Sequence, residues 1–105
     1  MSEITPLVVV AGEYLTPIAE VDALREAHLE FIAGLVQGGR VLLAGRRTPP
    51  EGSVIVFRGG DPDEALRLLD DDPYLAAGVV AYDAVGVFTP GVHAPELAAA
   101  LTAGA

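Results

Sequence analysis

Arg40-Val41-Leu42-Leu43-Ala44-Gly45-Arg46-Arg47-Thr48-Pro49-Pro50-Glu51-Gly52-Ser53-Val54-Ile55-Val56-Phe57-Arg58 is the stretch whose reading decides the fold. Its two apolar runs, 40–45 and 53–58, have the length and β-branched content of strands. Between them, Arg46–Gly52 is rich in turn residues, so the two strands are expected to pair as an antiparallel hairpin. Helical patterns lie on both sides of this hairpin, and a further apolar strand lies beyond each of them. The order is therefore β-α-β-β-α-β, an α+β, ferredoxin-like sandwich of two helices on one face of a four-stranded antiparallel sheet.

Upstream, Leu7-Val8-Val9-Val10-Ala11 reads as a central strand that stops at Gly12, with 1–6 as a frayed start and 12–16 as a connecting loop. Thr16-Pro17 offers a helix cap followed by proline at the first helical position. A helical period then runs from about Ile18 to Gln37, with Val21, Leu24, His28, Phe31 and Leu35 on one face, and Gly38-Gly39 ends it. His28 thus falls inside the apolar stripe, with Arg25 one turn earlier on its edge.

Downstream of Gly59-Gly60, Asp61-Pro62-Asp63-Glu64 is a helix start with an acidic cap, proline next and Glu three residues on. Ala65, Leu66, Leu68 and Leu69 supply the apolar side of a short helix closed by Asp70-Asp71-Asp72. Acids at a helix C-terminus oppose its dipole, each by about 0.3–1 kcal/mol when exposed. Pro73 ends the helix and biases Asp72 towards an extended conformation. A broken local rule of this kind calls for a cation from elsewhere, and His28 is the natural candidate. Tyr74–Gly78 reads as one further helical turn. Residues 79–88 form a last strand, apolar apart from Tyr82 and Asp83. Residues 1–88 are read as one domain and 89–105 as a C-terminal tail, with a small helix expected over 96–103.

At 105 residues with 51% hydrophobic and 20% charged content, the chain has the size and composition of one globular domain. Because its strands are apolar on nearly every residue, the second sheet face also needs a cover, and a second copy in a symmetric dimer would supply it. The net charge of −9 repels nucleic-acid phosphates and anionic membranes, so neither is expected as a partner, and its plain reading is solubility. No apolar run reaches the length of a membrane span, and a cytoplasmic location is the expectation. With no cysteine, disulfides, thiolate metal sites and cysteine nucleophiles all fall away. His28 and His93 are isolated, the aspartates fit no calcium-loop spacing, and the paired glycines lack phosphate-binding patterns, so neither metal nor organic cofactor is implied.

A histidine alone on an apolar helix face reads first as a core residue. A neighbouring carboxylate changes that reading, because it orients the imidazole for general acid–base work. Arg25 reads either as a surface partner of Glu26 or Asp22, or as a holder of Asp72 or of an anionic substrate group. Tyr74 reads as a packing residue or as a hydrogen-bond donor to substrate. Arg46 and Arg47 read as solvated loop charges or as an anion clamp over a pocket mouth. His93 is expected to be exposed and without a role.

The pattern Arg25-x-x-His28-Leu29, Gly39, Leu43-Ala44-Gly45 and Asp72-Pro73-Tyr74-x-x-x-Gly78-Val79 resembles that of the YciI-like, YCII-related family over roughly Leu7 to Phe88. The resemblance implies a ferredoxin-like fold assembled as a dimeric α+β barrel. It also implies a histidine–aspartate pair in a cleft, here His28 and Asp72, as the catalytic residues. One branch of that family resembles a dehydrochlorinase of a chlorinated hydroxyaromatic, and related barrels include muconolactone isomerase and cofactor-free monooxygenases. This chain carries Arg46 where many relatives have proline after Ala-Gly, so its pocket entrance is its own. The activity expected is acid–base elimination or isomerisation of a small cyclic or aromatic molecule by His28 and Asp72, without a cofactor, and Arg25, Tyr74 and Arg46 are the residues expected to bind it. A ligand-binding or protein-interaction module of the same fold is the alternative.

Overall fold

A computed structural model describes residues 3–102. The elements run β1 Leu7–Tyr14, α1 Ile18–Asp22, α2 Arg25–Gln37, β2 Val41–Arg46, β3 Gly52–Arg58, α3 Pro62–Leu68, α4 Pro73–Ala76 and β4 Val80–Phe88, with a 3-10 turn at Pro95–Leu97. The four strands form one antiparallel sheet in the order β2-β3-β1-β4. This is the ferredoxin-like arrangement expected from the sequence, including the β2–β3 hairpin.

Alternation along the strands divides the sheet into two faces. Val8 and Val10 of β1, Ile55 and Phe57 of β3 and Val41 of β2 point to the helices, forming a core with Ile32, Ala65 and Leu69. A second cluster, Val21, Tyr74, Val79 and Val80, fills the end of the sheet where α1 and α4 meet β4. The opposite face carries Leu43, Val56 and Val9, paired across three strands, beside Val54 and Ala11. No helix covers these residues, and they remain half-buried or, at Leu43, exposed.

Three boundaries differ from those expected. β1 continues through Gly12 to Tyr14, because a side chain at 12 would collide with the Ser53 hydroxyl and the Tyr82 ring, each 2.8 Å from its Cβ. Gly12 lets the strand pass beneath them and so carries Tyr14 to the site. The single helix expected over 18–37 is broken at Ala23-Leu24, where Leu24 N–H donates to Val21 in a tighter turn. The break serves both clusters: Val21 packs in the second, and Ile32, after the turn, in the first. α2 ends in the expected glycine cap, with Gly39 at φ 77° and the Arg40 N–H closing back on the Leu35 carbonyl.

Within the expected frayed start, Ile4 and Thr5 are held. Ile4 bridges Thr102, and Thr5 N–H donates to Leu101 across 2.7 Å, which buries Leu101. That pairing replaces the tail helix expected over 96–103, leaving only the short turn at Pro95–Leu97; Met1, Ser2 and Ala103 lie outside the described residues. No helix among the described residues is long and apolar enough to cross a membrane.

Candidate active site

Asp72 is the fixed point of the site. It does not sit as an uncompensated acid at the end of α3; it is the N-cap of α4, extended at φ −63° and ψ 127° as the residue before proline should be. Its Oδ1 accepts from the Tyr74 N–H at 3.2 Å, the capping bond. α4 is only one turn long, but its far end is closed by Gly78 at φ 72° and by the Val79 N–H returning to the Tyr74 carbonyl at 3.1 Å. Asp70 and Asp71 are exposed and take no part.

Two further donors reach Asp72 from distant elements. His28 Nδ1 lies 2.7 Å from Oδ1, and the Tyr82 hydroxyl of β4 donates to Oδ2. Asp72 is 0% exposed and His28 7%, so this pairing is shielded from water. A carboxylate only accepts, which puts the proton of the histidine bond on Nδ1. The other ring nitrogen, Nε2, then carries the lone pair, and it bonds to no described residue. The imidazole is held on a second side as well: the Tyr74 ring stacks on it with centroids 3.8 Å apart and planes 5° from parallel. Tyr14 in turn meets Tyr74 edge-on at 6.1 Å. Burial and the bond to Asp72 push the Tyr82 phenol well above its ordinary pKa, so it remains a donor throughout the working pH range.

His28 lines a cavity of about 140 Å³ between α2 and the β2–β3 end of the sheet. Leu29, Ile32, Ile55 and Ala44 make its apolar wall, and Arg25, Arg46, Tyr14 and Tyr74 its polar one. Arg46 is not a free loop charge. As the last residue of β2 it donates through Nε to the Tyr14 hydroxyl at 3.0 Å and through Nη2 to Asp22 at 2.6 Å. Burial works against its charge, but those two bonds outweigh burial and hold the guanidinium firmly protonated. Arg47 turns away and pairs with Glu13 at 2.7 Å. Arg25 pairs with neither Glu26 nor Asp22, and forms no ion pair among the described residues. Tyr74 is 1% exposed, and its buried hydroxyl has no hydrogen-bond partner. Burial raises that phenol's pKa and the nearby Tyr14 phenol adds to it, while the Arg46 and Arg25 guanidiniums pull it back, so both cations lie within its field.

The fold thus brings together all five residues singled out from the sequence: His28, Asp72, Arg25, Tyr74 and Arg46. His93 is exposed and bonds only to its neighbour's carbonyl. Tyr82, Tyr14 and Ser53, the last also lining the cavity, are not marked out by the sequence alone. Tyr82 had one visible signal, a polar interruption of an otherwise apolar strand. Tyr14 and Ser53 give none, because Tyr14 follows the glycine at which the apolar run stops and a strand serine is unremarkable.

A buried carboxylate orienting an imidazole over an apolar cavity can do general acid–base chemistry. No curated protein matches the chain. The YCII-related domain matches residues 7–89, from the first residue of β1 to just past the last of β4. With that match spanning the whole sheet and both halves of the histidine–aspartate pair, the chain belongs to the YCII-related domain family.

Proposed function

We propose that this protein is an enzyme that acts without a cofactor, moving a proton on a small cyclic or aromatic molecule through His28. The observation that carries this reading is the buried 2.7 Å bond from His28 Nδ1 to Asp72, which leaves Nε2 unengaged on a cavity-lining residue. Nε2 takes a proton from a substrate C–H or O–H, and the bonding pair moves into the adjacent π system. The imidazolium that forms is stabilised by Asp72, whose other oxygen stays bound to Tyr82. Isomerisation returns the proton at a different atom; elimination expels a leaving group with its electron pair. Tyr82 is a positioning residue, because it acts through Asp72.

The working form in this proposal is a homodimer, with a second copy covering the helix-free face. The apolar row Leu43–Val56–Val9 supports this, since a soluble monomer rarely leaves such a stripe in water. Light scattering is expected to give twice the chain mass for the wild type and a monomer for Leu43→Glu; a monomeric wild type would exclude this assembly.

Deuterium wash-in from heavy water into a panel of small cyclic ketones and phenols, followed by NMR, tests the chemistry. Exchange that is lost in His28→Gln, with the fold kept by circular dichroism, is the expected result. Exchange at an unchanged rate in His28→Gln would remove the base from the proposal.

A further inference from the structure

The chain carries six basic residues, all arginine, against fifteen acids. Two of those six line the one cavity of His28, and no Asp or Glu is among the described residues that line it. The lining itself therefore carries cations and no carboxylate, with Asp22 set on Arg46 and Asp72 buried behind His28. Arg46 is matched by Asp22, but Arg25 is unmatched. Arg25 is also the first residue of the thirteen-residue α2, where a cation opposes the helix dipole. An exposed arginine could instead avoid the cavity at no cost, so its place there needs a reason. The buried Tyr74 hydroxyl, on the same cavity wall and within the field of both guanidiniums, has no hydrogen-bond partner. Beneath this cationic rim the wall is apolar, with Leu29, Ile32, Ile55 and Ala44.

We infer that the cavity takes a ring-sized carboxylic acid as its anion, with the carboxylate on Arg25 at the mouth and the ring against the apolar wall beside His28. The size follows from the volume: about 140 Å³ here is close to the roughly 150 Å³ that admits benzene in an engineered apolar cavity. The charge follows from the unmatched guanidinium, whose fork suits a carboxylate. The inference names the substrate class of the acid–base enzyme proposed above and rests on that reading for its chemistry, but the binding itself does not require His28 to transfer a proton.

Titration of the full, isotope-labelled chain with benzoate, benzamide and acetate, followed by amide NMR shifts, tests it. Benzoate is expected to shift the amides of Arg25, His28 and Gly45 saturably, at least about tenfold tighter than either benzamide or acetate. Arg25→Gln should bring benzoate down to the benzamide level, with benzamide itself unchanged and the melting temperature kept. Equal binding of benzoate and benzamide, no effect of Arg25→Gln, or no saturable shift with benzoate would each overturn the carboxylate assignment. Acetate binding as tightly as benzoate would overturn the ring. The two readings fail separately: His28→Gln should keep the benzoate affinity, so a mutant that loses wash-in but still binds benzoate supports both. Unchanged wash-in in that mutant with benzoate still bound removes the catalyst and leaves the anion site.

Discussion

Asp61-Pro62 and Asp72-Pro73 are the same dipeptide doing the same local job, and their difference shows where the chemistry comes from. Each aspartate is extended, caps a helix and hands over to proline at its first turn. Asp61 is exposed and spends its Oδ1 on the N–H groups of Asp63 and Glu64. Asp72 caps with a single bond and directs its remaining capacity to His28, 44 residues away, and to Tyr82. Nothing in either dipeptide separates them. What separates them is burial, and burial is decided by the elements folded over the second one: α2, β4 and the Tyr74 ring. A capping residue becomes part of a site when long-range donors compete for its oxygens in the absence of water.

The largest effect that tests this contrast is Asp72→Ala. It removes a cap and leaves the buried His28 N–H and Tyr82 hydroxyl without their acceptor, and should cost about 3–5 kcal/mol in denaturant unfolding, a lost cap plus unpaired buried donors. That is a large part of the stability of a domain this size, about 5–15 kcal/mol. A cost near 1 kcal/mol would make Asp72 a cap like any other. Tyr82→Phe comes next. It strips Oδ2 of its donor inside the fold and should cost about 1–3 kcal/mol. The activity loss that accompanies it should appear in kcat more than in KM, since the phenol acts through Asp72 and touches no substrate. Asp61→Ala should cost only about 0.5–2 kcal/mol, the range for a lost cap, and leave the cavity's ligand affinity unchanged.

The two regions should also part at high pH. Tyr74 and Tyr82 titrate above the ordinary phenol value of about 10, because burial, and for Tyr82 also Asp72, disfavours the phenolate. A pKa raised in the folded state means that the folded chain holds the proton longer. The stability so gained is complete below about pH 10 and is lost as pH climbs towards the folded values. Phenolate absorbance from these two rings should therefore rise at higher pH than that of a free phenol in the wild type and in Asp61→Ala. In Asp72→Ala the Tyr82 part should appear at lower pH. A Tyr82 titration indifferent to Asp72→Ala would break the contrast.

The frame of the fold was legible because its signals are local. Turn residues at 46–52 announce the hairpin, Gly39 and Gly78 end helices with positive φ, and Asp61-Pro62 starts one. The histidine–aspartate pair was legible too, although for a reason that the structure revises. Asp72 was singled out as an acid misplaced at the end of α3, whereas it is well placed at the start of α4. The charge that needed a partner needed it because of burial, which no local rule reveals. The same limit explains Tyr82, whose hydroxyl finds Asp72 only when β4 is laid beside β1. It also explains the break at Ala23-Leu24, which answers to two separate packing clusters. Arg46 could be read two ways in sequence because its partners, Tyr14 and Asp22, come from other elements.

Asp72 fixes the histidine as its Nδ1–H tautomer and so leaves a free lone pair on Nε2 of a ring that lines the cavity. Nitrogen-15 NMR of the His28 ring, recorded where the ring is neutral in the wild type and in Asp72→Asn, measures this directly. The expected result is a protonated Nδ1 and an unprotonated Nε2 in the wild type, and a mixture of tautomers once the carboxylate is gone. A wild-type ring that carries its proton on Nε2 would contradict it, since no base would then face the cavity.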